Sequence, residues 1–152
     1  MKPFKPLLLS FLALSVTAVS QSQASRLVGK WSANLEFDMT KFPRATTPQS
    51  VDALERALAE ARKTKMSLTL QQAGAFSARL VPSTAGQQPV VLTGTWKLKG
   101  RTLTIVVLKA NGGKPKPEEA GPQEMLVGEK LNWIRFTPPQ GMGSYFHMIR
   151  VR

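Results

Sequence analysis

The sequence contains no cysteine and a single histidine, His147. A chain without cysteine forms no disulfide and offers no thiol for redox or nucleophilic chemistry. One histidine without cysteine also excludes a metal site built from His and Cys ligands. No serine lies in the Gly-x-Ser-x-Gly pattern of a nucleophile elbow, which a triad with His147 would need. These absences predict a protein that is not an enzyme and that works without a metal or another cofactor.

Acidic and aromatic residues are also few. The chain has 9 Asp and Glu against 21 Lys and Arg, so its formal net charge is +12, or +10 when Lys2 and Lys5 are removed. This excess favours anionic partners such as lipid headgroups, glycans or acidic proteins. A basic but inert surface is the alternative, because the cations are scattered rather than clustered. Nucleic acid is not an expected partner, because the aromatic residues occupy apolar-face positions and are not free to stack on bases.

No apolar run is long enough to cross a membrane as a helix. The longest, residues 7–19, has roughly 13 residues, whereas about 20 are needed. Lys2 and Lys5 precede this run, and the small residues Ser22 and Ala24 follow it. This order is typical of a cleaved secretory signal. An uncleaved membrane anchor is the alternative, and its length argues against it.

Cleavage after Ala24 divides the chain into a signal peptide, residues 1–24, and a single domain, residues 25–152. A cut after Ala18 is the weaker alternative. No cysteine follows the apolar run, so the lipid anchor of a bacterial lipoprotein is excluded. We therefore expect a periplasmic or secreted domain stabilised by burial and sheet hydrogen bonds.

The start of this domain alternates between apolar and polar side chains, which predicts a strand over residues 27–37. The period then changes over residues 48–63. Apolar residues recur there at helical spacing: Val51, Leu54, Leu58 and Ala61. Thr47 is a suitable N-cap and Pro48 a suitable first residue, so a helix is predicted. Its stripe should be buried, either as a seal or as a lid over a pocket; a basic surface that touches lipid headgroups is the alternative.

From residue 65 onward the period of two returns, in segments separated by turns. The break at residues 110–122 is rich in Gly, Pro and charge, which predicts a mobile loop. Consecutive antiparallel strands favour a mostly β fold: an up-and-down meander of about eight strands closed into a barrel, with one helix between the first and second strands. An open, strongly curved sheet packed on the helix is the alternative.

The residues Leu27-Val28-Gly29-Lys30-Trp31 resemble the Gly-x-Trp opening of the lipocalins and the related fatty-acid-binding proteins. This resemblance implies that Trp31 plugs one end of a barrel and that Gly29 lets the first strand bend over it. A second Gly-x-Trp at residues 94–96, followed by residues 99–105, is similar to the central hairpin of small bacterial lipocalin-like domains of unknown role. The position of the predicted helix is similar to that of the helical lid of fatty-acid-binding proteins.

The last strand departs from this family. Fatty-acid-binding proteins carry an Arg-x-Tyr carboxylate clamp there, whereas this chain ends in Arg150-Val151-Arg152. The strand's inner face is predicted to comprise Tyr145, His147, Ile149 and Val151. That parity points Arg150 outward, so the clamp is not carried over.

The leading hypothesis for function is a barrel that holds a small apolar or amphipathic molecule. The candidate contacts are Leu68, Leu70, Phe76, Leu92, Trp96, Leu103, Ile105, Trp133 and Tyr145. The competing hypothesis is a filled barrel that acts through its basic exterior on an anionic surface or a protein partner. The two differ in whether the interior is open, and the sequence leaves the oligomeric state undetermined.

Export is expected to leave a mature chain that begins near Ser25, because Ser22 and Ala24 occupy the positions that signal peptidase reads. N-terminal sequencing of the exported protein measures this. A chain that retains Met1 would contradict the prediction, and one that begins at Val19 would favour the alternative cut.

Overall fold

The computed structural model of the chain describes residues 23–42, 44–139, 141 and 143–152. Most of the predicted signal peptide, residues 1–22, lies outside the described residues. The strands are β1 (Gly29–Phe37), β2 (Lys65–Leu70), β3 (Ala75–Val81), β4 (Val90–Lys99), β5 (Thr102–Ala110), β6 (Pro122–Val127), β7 (Trp133–Phe136) and β8 (Ser144–Arg150). The helices are α1 (Pro48–Ala61) and α2 (Pro117–Ala120), with a 3-10 turn at Met39–Lys41 and helical residues at 23–27. No helix among the described residues has the length and apolar character needed to cross a membrane.

The strands form one closed antiparallel barrel, in which each strand pairs with its sequence neighbours and β8 pairs with β1. The β1–β8 seam runs from Trp31 opposite Arg150 to Phe37 opposite Ser144. Closure leaves the barrel without a free edge. The predicted eight-stranded meander with a helix between its first two strands is confirmed, and the open-sheet alternative is wrong.

A bulge between β4 and β5 helps the wall to curve. The register of the two strands shifts between Thr93 and Gly94. A Cβ atom at Gly94 would overlap the carbonyl oxygen of Val106 and would crowd the ring of Phe76. Glycine is therefore required for the close approach of the two strands, and such bulges bend and twist the strand that carries them.

The two ends of the barrel differ in construction. The closed end carries the short turns and the N-terminal segment: residues 23–28, 71–74, 100–101 and 128–132. The open end carries the longer connections, of which the structure describes residues 38–42, 44–64, 82–89, 111–121, 137–139, 141 and 143. Helices α1 and α2 both lie in the connections of the open end.

Trp31 fills the closed end together with Leu27, and both are fully buried. The indole N–H of Trp31 donates to the Leu27 carbonyl oxygen at 2.9 Å. The Arg150 guanidinium lies over the indole, with Cζ 4.5 Å from the ring centroid. Arg150 also donates to the carbonyl oxygens of Val28, at 2.7 Å, and of Arg26. The prediction that Trp31 plugs one barrel end is confirmed.

Gly29 makes this arrangement possible. Its φ is +140°, a conformation that residues with a side chain rarely adopt, and a Cβ atom would lie 2.6 Å from Nη1 of Arg150. The absence of a side chain therefore lets the guanidinium reach both the indole and the N-terminal carbonyls.

The predicted parity of β8 is wrong. The inner face comprises Ser144, Phe146, Met148 and Arg150. Phe146 and Met148 are 4% and 0% exposed, whereas Ile149 on the other face is 59% exposed. Both faces of this strand carry apolar residues, so the alternation in the sequence does not show which face points inward. The register of β8 with β1 and β7 determines the inward face. Arg150 consequently points across the closed end, not outward.

Helix α1 begins as predicted. Thr47 is its N-cap, the Thr47 hydroxyl accepts a hydrogen bond from the Ser50 N–H, and Pro48 is the first helical residue. Its apolar stripe is buried unevenly. Leu58 is 7% exposed and Leu54 and Ala61 are half-buried, but Val51 is 38% exposed. The predicted burial is confirmed for the C-terminal half of the stripe and wrong at Val51.

The segment 110–122, predicted as a mobile loop, contains the short helix α2. Glu119 accepts the Lys116 N–H at 3.0 Å and so caps this single turn. Asn111 anchors the start of the segment, because its side chain accepts the Val91 N–H at 2.7 Å. A helix of four residues leaves no periodic pattern in the sequence, which explains why the pattern missed it.

Trp31→Ala should lower the free energy of unfolding by about 3–5 kcal/mol, because it removes a large buried aromatic side chain. Denaturant unfolding followed by circular dichroism measures this loss. Trp133→Ala, the same change at a half-buried tryptophan, is the control and should have a smaller effect. A Trp31→Ala variant as stable as the parent would contradict the plug.

Leu58→Asp should lower the melting temperature, because burial of a Leu side chain contributes about 1.5–3 kcal/mol and a buried carboxylate adds a desolvation penalty. Val51→Asp is the matched control on the same stripe. Val51 is exposed and lies in the first turns of α1, where a negative charge is tolerated. Equal melting temperatures for both variants would mean that α1 contributes nothing through Leu58.

Candidate ligand cavity at the open end of the barrel

The interior toward the closed end is filled. Five of the predicted ligand contacts pack there into one cluster with Trp31: Leu68, Leu70, Phe76, Trp96 and Leu103. None of the five is more than 6% exposed. The Trp96 indole N–H donates to the Gln71 carbonyl oxygen at 3.0 Å, which fixes that ring at the closed end. This half of the barrel is therefore a packed core.

A cavity of about 170 Å³ lies in the other half, below the open end. Its apolar lining comprises Met66, Ala78, Leu92, Ile105, Val107, Met125, Phe136 and Pro139. An apolar cavity of about 150 Å³ in another protein stays dry and binds benzene. The space is thus sufficient for a phenyl ring or a short alkyl group.

Ala78 explains why space remains at this level of the barrel. In the sheet register it lies between Leu68 of β2 and Leu92 of β4. Its side chain is a single methyl group, and Ala78 is only 4% exposed. A small residue in a row of leucines leaves unfilled volume at a depth where the barrel interior is otherwise packed.

Three polar side chains complete the lining: Gln123, Glu118 and Glu119. Gln123 is half-buried and has the inward parity of Met125 and Val127 on β6. Its amide makes no hydrogen bond to the rest of the described chain. Glu118 and Glu119 come from α2, and of the two Glu118 is exposed and Glu119 half-buried. The surface of the cavity is nevertheless almost entirely apolar.

Two of the nine predicted contacts, Leu92 and Ile105, line this cavity. The prediction that Trp133 and Tyr145 face the interior is wrong. Ile134 and Phe136 take the inner positions of β7, and Phe146 and Met148 those of β8. Trp133 instead contacts His147 on the outer wall, with ring centroids 5.2 Å apart.

Most of the residues that line the cavity were not among the predicted contacts. The alternation of β2, β3 and β5 places Met66, Ala78 and Val107 on the same faces as the predicted contacts, so parity was a usable signal for these three. No comparable signal existed for Glu118 and Glu119. Their position depends on how residues 111–121 fold over the open end.

The outer wall carries a second, polar feature. The Arg135 guanidinium lies 3.9 Å from the centroid of the Tyr145 ring, and a hydrogen bond with Glu36 raises the pKa of Tyr145. Beside them a groove of about 650 Å³ crosses β8, β1, β2 and β3. Lys65 and Arg79 lie in this groove, and neither forms an ion pair with another described residue.

Neither site offers a grouping of metal ligands. Over residues 23–42, 44–139, 141 and 143–152, no three His, Cys, Asp or Glu side chains come together in a way that could hold a metal ion.

No protein-family model matches the chain, and no curated protein matches it. Among solved structures, the chain is similar to a lipocalin-like protein from Bacteroides uniformis ATCC 8492, with 15% identity and a TM-score of 0.48 over 83% of this chain and 99% of that one. It is also similar to an uncharacterized protein from Bacteroides eggerthii DSM 20697, with 14% identity and a TM-score of 0.43 over 82% of this chain and 99% of that one. Both similarities concern the layout of the barrel and say nothing about a ligand of this chain.

Proposed function

We propose that the protein is an exported, non-enzymatic binding protein that holds the apolar part of a small molecule at the open end of its barrel. The observation that carries the proposal is the cavity of about 170 Å³, whose lining comprises eight apolar and three polar residues and whose surface is almost entirely apolar. Clefts of this kind, apolar with a few convergent polar groups, are typical of small-molecule sites.

The size of the cavity limits the ligand. Pockets that enclose a drug-sized molecule usually measure about 300–1,000 Å³. At about 170 Å³ the cavity accepts a ring or a short chain and leaves the remainder of the molecule outside. A ligand with an apolar end and a polar end therefore fits better than a wholly apolar one.

Export is supported by the N-terminal sequence, in which two lysines, an apolar run and small residues follow one another. A non-enzymatic role is supported by the single histidine and the absence of cysteine.

A second candidate function uses the basic exterior. Lys65 and Arg79 lie in the outer groove and form no ion pair with another described residue, and their strands place them as diagonal neighbours on one face. Glu36 also lines the groove, so the two cations exceed the one carboxylate there, which favours an anionic group on an envelope component or a protein partner.

The cavity hypothesis predicts that benzene binds inside the barrel and that Ala78→Leu abolishes binding, because the larger side chain occupies the space next to Leu68 and Leu92. An NMR titration of the ¹⁵N-labelled protein measures this, with shifts expected around Ile105 and Met125. Ala75→Leu is the matched control, since Ala75 alternates with the inward Phe76 and does not line the cavity.

Unchanged benzene binding in folded Ala78→Leu would contradict the assignment of the cavity. No binding by the parent protein would favour the outer-wall candidate. Native mass spectrometry of the protein purified from its own host complements the titration, because it shows any molecule that the barrel retains.

A further inference from the structure

The outer groove is lined by side chains that the strand register brings together on one face of the wall. Asn34 of β1 lies opposite Lys65 of β2. In the neighbouring row, Ser67 of β2 lies opposite Ser32 on one side and Arg79 on the other. All five residues line the groove. The two rows therefore place neutral polar side chains beside two cations.

The two cations of the groove are available to a ligand. Lys65 and Arg79 are exposed, and neither is ion-paired within the part of the chain that the structure describes. They are diagonal neighbours on adjacent antiparallel strands, where such positions are about 7–8 Å apart or less. Both side chains are long, so one anionic group can contact both. A guanidinium binds a carboxylate through two parallel hydrogen bonds, which favours a planar carboxylate.

The one carboxylate that lines the groove lies toward β8. Glu36 is opposite Tyr145 in the sheet, and the phenol donates a hydrogen bond to it, which raises the pKa of Tyr145. Arg79 is level with Ser32, four residues from Glu36 along β1, or about 13 Å at 3.3 Å per residue. Salt largely screens exposed charges beyond about 8–10 Å. The β3 side of the groove is therefore positively charged.

The neutral polar side chains of the groove have free hydrogen-bonding capacity. Ser32, Asn34 and Ser67 form no side-chain hydrogen bond with another described residue. Hydroxyl and amide groups both donate and accept hydrogen bonds. They are thus matched to a ligand that carries several hydroxyl groups, whereas a simple inorganic anion would use only the cations.

The β8 side of the groove adds ring and apolar surface. The imidazole of His147 lines the groove and lies against the Trp133 indole, with ring centroids 5.2 Å apart. Ile149 also lines the groove, lies opposite Trp133 in the sheet and is 59% exposed. Aromatic side chains offer a large apolar contact area. A sugar ring presents C–H groups on its face and hydroxyls on its edge, so it fits beside both kinds of surface.

From these observations we infer that the outer groove binds an acidic saccharide, with a sugar carboxylate between Lys65 and Arg79, hydroxyl groups at the neutral polar side chains and a sugar ring toward His147. The groove of about 650 Å³ lies within the range of about 300–1,000 Å³ that is usual for small-molecule sites. The inference rests on the second candidate function, that this groove receives an anionic group, and it names the class of that group.

Three probes separate the charge from the sugar: trigalacturonate, its neutral methyl ester, and citrate, which has three carboxylates but no sugar ring. We expect trigalacturonate to bind at least about tenfold more tightly than either, because the ester lacks charge-assisted hydrogen bonds and citrate lacks the hydroxyl and ring contacts. Added salt should weaken its binding. NMR titration of the ¹⁵N-labelled protein measures the affinities, with shifts expected at the amides of Ser67 and Arg79.

Lys65→Gln and Arg79→Gln should each weaken trigalacturonate binding about tenfold, because each removes one charge-assisted contact. Both side chains are exposed, so the variants should fold as the parent does. Lys97→Gln is the matched control, since Lys97 is an exposed cation of β4 that does not line the groove. Its loss should change the affinity by less than about twofold, because a distant exposed charge is screened.

The outcomes distinguish this inference from the second candidate function. Equal binding of trigalacturonate and its ester, or an equal loss in Lys97→Gln, would overturn the inference, because the cations of the groove would then not select the ligand. If citrate binds as tightly as trigalacturonate, or if vesicles that contain phosphatidylglycerol bind and trigalacturonate does not, the assignment to saccharides is wrong and the groove still receives an anionic group. If no anion shifts the resonances of the groove, the second candidate function is wrong as well.

Discussion

The contact between Arg150 and Trp31 is the interaction on which the rest of the structure depends. It lies on the seam where the last strand meets the first, and Arg150 reaches beyond β1 to the carbonyl oxygens of Arg26 and Val28. Both carbonyls precede β1, where Arg26 is exposed and Val28 is half-buried. A single guanidinium thus donates to two carbonyl oxygens of the N-terminal segment, covers the indole and links two strands from opposite ends of the chain.

The same contact determines where a ligand can be accommodated. Because Trp31, Phe76 and Trp96 fill the closed end, the cavity lies toward the open end, at the level of Ala78. Because Arg150 is committed to the indole and the N-terminal carbonyls, the open half of the barrel lacks the cation that a carboxylate clamp would require. The packing of the closed end therefore limits the depth of the cavity.

Most of the fold could be predicted from the sequence, because the pattern of period two and the helical stripe of α1 are local signals. The errors occurred where both faces of a short strand carry apolar residues. In β7 and β8, Trp133 and Tyr145 are larger than the residues that displace them from the interior, Ile134 and Phe146. Side-chain size did not decide their orientation; the register with β6 and β1 did, and register is a tertiary property.

The cavity was less predictable than the barrel, because its position follows from a residue that is small and its mouth from a segment without periodicity. Ala78 has the right parity, yet nothing local marks an alanine as the origin of a space. Glu118 and Glu119 are adjacent in a segment rich in Gly, Pro and charge, for which solvation is the natural interpretation. Folding of that segment over the open end brings both residues to the edge of an apolar space, a placement that depends on tertiary structure and that no local pattern indicates.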